Sequence, residues 1–260
     1  MRYGNLRWID IEMMDKDDKV VVCPVASLEQ HGHHLPLLTD THLVTAVAEQ
    51  VEAAHSESVL LLPTLWLGAS DHHLDFPGTV SVSNDDYVDI IKSLTSSFIS
   101  AGFWKILFLN GHGGNVAPGE VAITQMADDS DVCNEAYIVF ASYWTIAAQS
   151  LSAGNHGMSQ PTLSHACEYE TSMMLHVAKQ LVSMESAVGY DESHPEVPAG
   201  VRVAGRFNMK SETGALGSPE MATAEKGASL LNAVTQDVGQ LLAQMMEWPV
   251  REVLGPVDPS

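Results

Sequence analysis

Short apolar runs alternate with amphipathic stretches along most of the chain. Residues 19–24 read as a buried strand between the charged run DKDDK and a polar segment. Leu43, Val44, Val47, Ala48 and Val51 then recur at helical spacing and predict a helix over 40–55. SVLLLP at 58–63 predicts a second strand, which opens onto the polar loop LGASDHHLDFPGTVS. Asn84 is placed as the N-cap of a helix with Asp85 and Asp86 in its first turn, closed by Gly102. WKILFL at 104–109 reads as a third strand, followed at once by NGHGGN; a helix over 118–126 then leads to a fourth strand, AYIVFA at 136–141, and to SYW. From His165, HACEYETSMMLHVAKQL has helical spacing and sets His165 and Glu168 three apart on one face. Residues 185–218, rich in Gly, Ser and Pro, read as a hairpin or a loop over a site. Pro219 suits the first turn of a terminal helix reaching Met246, and the tail WPVREVLGPVDPS is expected to lie against the surface or a neighbouring subunit.

Strands alternating with helices at this spacing predict an α/β fold with a mostly parallel sheet covered on both faces. No Pro- or Ser-rich linker or repeat divides the chain, so residues 1–260 are read as one domain. In such sheets ligands gather at the carboxyl ends of the strands, where every polar motif of this chain falls. ASLEQHGHHLPLLTDTH, at 26–42, is the densest of them. Glu29 and His31 point the same way in extended backbone, and Asp40 stands where it could both cap a helix and bridge two ions with its two oxygens. Carboxylate and imidazole suit zinc, manganese or iron. The competing reading of HGHH is a solvated polar loop.

Charge and cysteines narrow the picture. Lys and Arg total 12 against 33 for Asp and Glu, a net charge of −21, which argues against nucleic acid or an anionic membrane as partner. No apolar run has the length of a signal peptide core or a membrane span, so a cytoplasmic location is expected. Cys23, Cys133 and Cys167 fit reduced thiols better than a disulfide framework.

EQHGHHLPLLTD, FPGT at 76–79, NGHGGN and HACEYETS, in this order and after the expected elements, resemble the creatininase family of metal-dependent amidohydrolases. The likeness spans residues 5–245 and extends to its formamide hydrolases and mycofactocin-associated peptidases as much as to creatininase proper. It implies a three-layer α/β/α fold, assembly as a homohexamer, a small-molecule substrate and two divalent ions per chain. Glu29, Asp40 and His112 would hold one ion, while His31, Asp40 and a further carboxylate hold the other. In creatininase that carboxylate lies two residues after the glycine-turn histidine; here the position is Gly114, and Glu168 is taken as its replacement.

His165 is the candidate general acid/base, since imidazole can pass a proton to a leaving nitrogen. Glu170, Thr171 and Ser172 are read as orienting the ligands. Trp144 is either an aromatic wall for the substrate or an ordinary buried Trp; Ser70, His72, His73 and the backbone of Gly113 and Gly114 are candidates to line the pocket. A Cys167–His nucleophile is disfavoured, and His33, His34, His42, His156 and His194 are given no direct role. The expected reaction is hydrolysis of a small amide, cyclic amide or formamide by a metal-bridged hydroxide. Creatinine hydrolysis, short-peptide cleavage, action on a polyol-derived cyclic ketone and a silent metal-binding role are the alternatives.

Overall fold

The computed structural model of the chain describes residues 1–128, 136–190 and 203–249. Strands β1 (Val20–Val25), β2 (Val59–Leu61), β3 (Lys105–Asn110) and β4 (Tyr137–Ser142) pair in parallel in the order β2-β1-β3-β4. The main helices are α1 (Thr39–Ala54), α2 (Asn84–Ser100), α3 (Val116–Ala127), α4 (Glu168–Val177) and α5 (Ala224–Met246). Strand β1 and the interior of β3, Ile106 to Leu109, are continuous apolar runs because each strand is buried on both faces.

Alternate residues of β1 enter different cores. Val20 and Val22 join Leu43 and Val47 of α1, Met173 of α4 and Leu230 and Val234 of α5. Val21, Cys23 and Val25 join Tyr87, Ile91 and Phe98 of α2 and Ala122 of α3. The result is the expected three-layer α/β/α arrangement. Helix α5 runs close against α4: a Cβ at Gly227 would fall 1.8 Å from the Ser172 carbonyl oxygen. That approach, at the middle of α4, holds the helix against α5.

Several boundaries differ from the sequence reading. The cap of α2 is Ser83, whose Oγ accepts from the Asp86 N–H, and Asn84 is the first helical residue. Pro219 belongs to a separate 3₁₀ turn, and α5 starts at Ala224, capped by Thr223. Asp40 lies inside the first turn of α1 without capping it, because its carboxylate is engaged elsewhere. The helix expected from His165 starts only at Glu168: Ala166 has a left-handed φ of 49° and Cys167 is extended, so His165 is outside it. Cys133, His194 and most of the C-terminal tail lie outside the described residues.

Strand order reverses between β1 and β3, since β1 goes to β2 on one side and β3 continues on the other. The crevice above the ends of these two strands is where an open α/β sheet leaves room for a ligand.

Candidate metal centre

Three loops and two helices converge above Val25 and Asn110. The turn after β1 supplies Glu29 and His31, α1 supplies Asp40, the loop after β2 supplies His72 and His73, the turn after β3 supplies His112, and α4 supplies Glu170. Glu29, His31, Asp40, His73 and His112 are all buried. Asp40 is central. Its Oδ1 lies 3.0 Å from His31 Nε2, while its Oδ2 lies 2.9 Å from His112 Nδ1 and accepts from Ser27 Oγ at 2.8 Å.

Main-chain carbonyls orient the imidazoles. His31 Nδ1 is 3.2 Å from the Glu29 carbonyl, His112 Nε2 is 3.2 Å from that of Ala69, and His165 Nε2 is 2.8 Å from that of Gln30. A carbonyl only accepts, so each of these nitrogens carries the hydrogen and donates it. The opposite nitrogen of each ring therefore faces the carboxylates. His165 Nδ1 is 3.7 Å from Glu29 Oε1, and His112 Nδ1 is 3.3 Å from the same oxygen. Gln30 Nε2 donates to His73 Nδ1 at 2.8 Å and to the Gly214 carbonyl at 3.1 Å, fixing a further ring.

This donor set fits a cation. Burial alone would raise the Asp40 carboxyl and lower His31 and His112, but their mutual attraction wins: Asp40 is held well below its ordinary value, His31 rises to about 9 and His112 is held well above the usual imidazole range. Without metal, protons on imidazoles balance the buried carboxylates. Glu29 Oε2 and Glu170 Oε2 are buried without any hydrogen-bond partner, and burial pushes Glu170 up to about 8. Carboxylate oxygens left without a partner inside a cluster of buried imidazoles are what a divalent ion would satisfy. Ligand atoms of His31, Asp40 and Glu170 come within 4.8 Å of one another, as do those of Glu29, His31 and His165.

Glu168 does not join them. Its Oε1 accepts from Lys226 Nζ, while its Oε2 accepts from the Ser159 N–H at 2.7 Å and from Ser159 Oγ at 2.6 Å. Two residues along an α-helix turn by about 200°, so Glu168 and Glu170 leave α4 on opposite sides. Glu170 is the carboxylate that enters the cavity. Glu168 instead anchors α4 to α5. Lys226→Met should therefore cost about 3 kcal/mol by leaving a buried carboxylate without its counter-charge, read as a fall in Tm with metal content unchanged.

A cavity of about 440 Å³ opens beside the cluster, lined by Trp144, Gly113, Gly114, His72, His73 and His165 among others. Ser70 is not among its lining residues. It is buried beneath His112, its Oγ 3.2 Å from Nε2, where it supports the ring. Phe207, from the irregular segment, stacks on His73 with ring centres 4.3 Å apart, and Lys210 follows it into the lining. Gln30, Phe207 and Lys210 were not singled out in the sequence, and Phe207 and Lys210 carried no signal there. Gln30 could have been suspected from its place between Glu29 and His31. His34 is buried against Thr171 Oγ1, His33 is exposed, and His156 bonds Ser229 Oγ, all away from the cavity. Burial raises the Cys167 thiol to about 12, which removes it as a nucleophile.

The family profile of creatininase, described as creatinine amidohydrolase, matches residues 4–242. The chain belongs to the creatininase family. Among creatininase-family relatives, the mycofactocin precursor peptide peptidase of Mycobacterium tuberculosis (strain CDC 1551 / Oshkosh) is 32% identical over 88% of this chain and 86% of its own. The 3-dehydro-scyllo-inosose hydrolase of Thermotoga maritima is 33% identical over 66% of this chain and 55% of its own. A solved structure titled "Creatininase Mn" superposes with a TM-score of 0.80 at 23% identity, covering 95% of this chain and all of that one, a likeness of fold. The relatives are hydrolases by name, and the His, Glu and Asp cluster sits in a fold shared with creatininases. Among the described residues no helix is long and apolar enough to cross a membrane.

Proposed function

We propose that the protein is a metal-dependent amidohydrolase that hydrolyses a C–N bond of a small amide, cyclic amide or formamide. The observation that supports this most is the shared orientation of His31, His112 and His165. Each gives one N–H to a main-chain carbonyl and turns the other nitrogen toward buried carboxylates, two of which keep an unpaired oxygen. Glu29, Asp40 and His112 would hold one divalent ion and His31, Asp40 and Glu170 a second, with zinc, manganese or iron all suited to the set. Such ions supply Lewis-acid polarisation of the substrate carbonyl and acidification of water.

The chain's own residues do the rest. Gln30 holds His165 through the Nε2–H, so Nδ1 is the atom that takes a proton as water attacks and hands it to the departing nitrogen. Trp144 and Phe207 wall the substrate, and the open backbone at Gly113 lets a carbonyl approach His112. The expected homohexameric assembly belongs to the same reading.

A peptide amide is a second reading with the same chemistry, favoured by the similarity to the mycofactocin precursor peptide peptidase. The test is amine release from creatinine, formamides, small lactams and short peptides, before and after chelation. Amine released only by the metal-loaded protein, with His165→Ala slowing kcat by roughly 10²–10⁴-fold at unchanged metal content, supports the reading. Amine release that survives chelation, or turnover of a cyclic ketone without amine, contradicts it.

A further inference from the structure

His72 lines the cavity with neither ligation nor proton transfer given to it, and unlike His73 it is not held by a hydrogen bond from Gln30. It arrives on the short 3₁₀ turn Asp71–His73 after β2. Its ring lies over that of His112, centroids 5.9 Å apart and planes 20° from parallel. The space it occupies exists because residue 114 is glycine. A Cβ there would fall 2.8 Å from His72 Cε1, 2.4 Å from His112 Nε2 and 2.1 Å from the Ala69 carbonyl oxygen. Ligand atoms of Glu29, His72 and His112 come within 4.8 Å of one another. Glu29, itself buried, brings to this group an oxygen, Oε2, that has no partner. Among the described residues the His72 imidazole has ring contacts but no hydrogen bond.

We propose that His72 is a ligand of the ion held by Glu29 and His112, an assignment that rests on the metal-dependent reading above. The two positions then differ in chemistry. One has two imidazoles with carboxylates, while the other has the single imidazole of His31 with Asp40 and Glu170. Imidazole suits zinc, and oxygen ligands suit manganese better, so the His72 position is the zinc-selective one.

Metal-stripped protein and His72→Ala are titrated with Zn²⁺ alone, bound zinc being measured after gel filtration, and the Co²⁺-loaded forms are compared by visible absorption. Wild type is expected to hold two ions. His72→Ala should bind one with wild-type affinity and the other at least about 100-fold more weakly, beyond the 10–100-fold typical of losing an outer-shell partner. Its cobalt bands should shift with the loss of a nitrogen ligand. Should the alanine variant fail to fold, His72→Gln keeps the bulk, and the same weakening is expected. Two ions held at wild-type affinity by the folded variant, with or without a raised KM, overturns the assignment and leaves the metal-dependent reading standing. A wild type that binds no zinc, cobalt or manganese overturns both.

Discussion

Asp40→Asn is expected to lower kcat/KM by roughly 10⁴-fold or more, about 5 kcal/mol of lost transition-state stabilisation at 1.36 kcal/mol per tenfold. The size follows from the two directions in which the carboxylate works. Oδ1 meets His31 Nε2 and Oδ2 meets His112 Nδ1, so the same residue serves both halves of the cluster. An amide keeps the shape but offers one acceptor and no charge. Its NH₂ would face an imidazole nitrogen on one side or the other. Steady-state kinetics paired with metal content check this: both should fall together, and turnover within tenfold of wild type would remove Asp40 from the centre of the site.

Glu170→Gln and Glu168→Gln should have crossed effects. Glu170→Gln is expected to reduce kcat/KM by roughly 10²–10³-fold, comparable to losing a group that stabilises charge in the transition state, while changing Tm little. The small stability cost follows from burial: Glu170 is pushed up to about 8 and its Oε2 has no partner, so a neutral amide suits the metal-free core. Glu168→Gln should keep turnover within a few-fold but lose about 2 kcal/mol of stability, because the charge facing Lys226 Nζ goes. Measuring kcat/KM and Tm on both variants decides the matter. The reverse pattern would restore Glu168 to the site.

The same pair of residues shows how far the sequence could be read. Apolar runs located all four strands because a parallel sheet buried on both faces leaves its central strands uninterrupted. The edge strand β2 came out shorter, three residues, since only Val59–Leu61 pair with β1. The clustering of Glu29, His31, Asp40 and His112 was legible because they crowd into two short motifs directly after β1 and β3. The carboxylate on α4 was misplaced for a definite reason. Counting from His165 as a helical residue puts Glu168 on its face, but the left-handed Ala166 breaks the helix and resets the count. Nothing in HACEYETS announces that turn, which is set by long-range bonds such as the Leu216 N–H to the His165 carbonyl. Phe207 and Lys210 were illegible for the same kind of reason: they reach the cavity through an irregular segment with no periodicity to place it. Ser70 was read as facing the substrate because it neighbours His72 and His73, yet it faces the other way, under His112.

The most direct test of the proposed two-ion centre is anomalous diffraction from metal-loaded crystals, collected on both sides of the metal absorption edge. Two peaks per chain are expected, one among Glu29, Asp40 and His112 and the other among His31, Asp40 and Glu170. No peak in this cluster, or a peak beside Glu168 instead, would contradict the account.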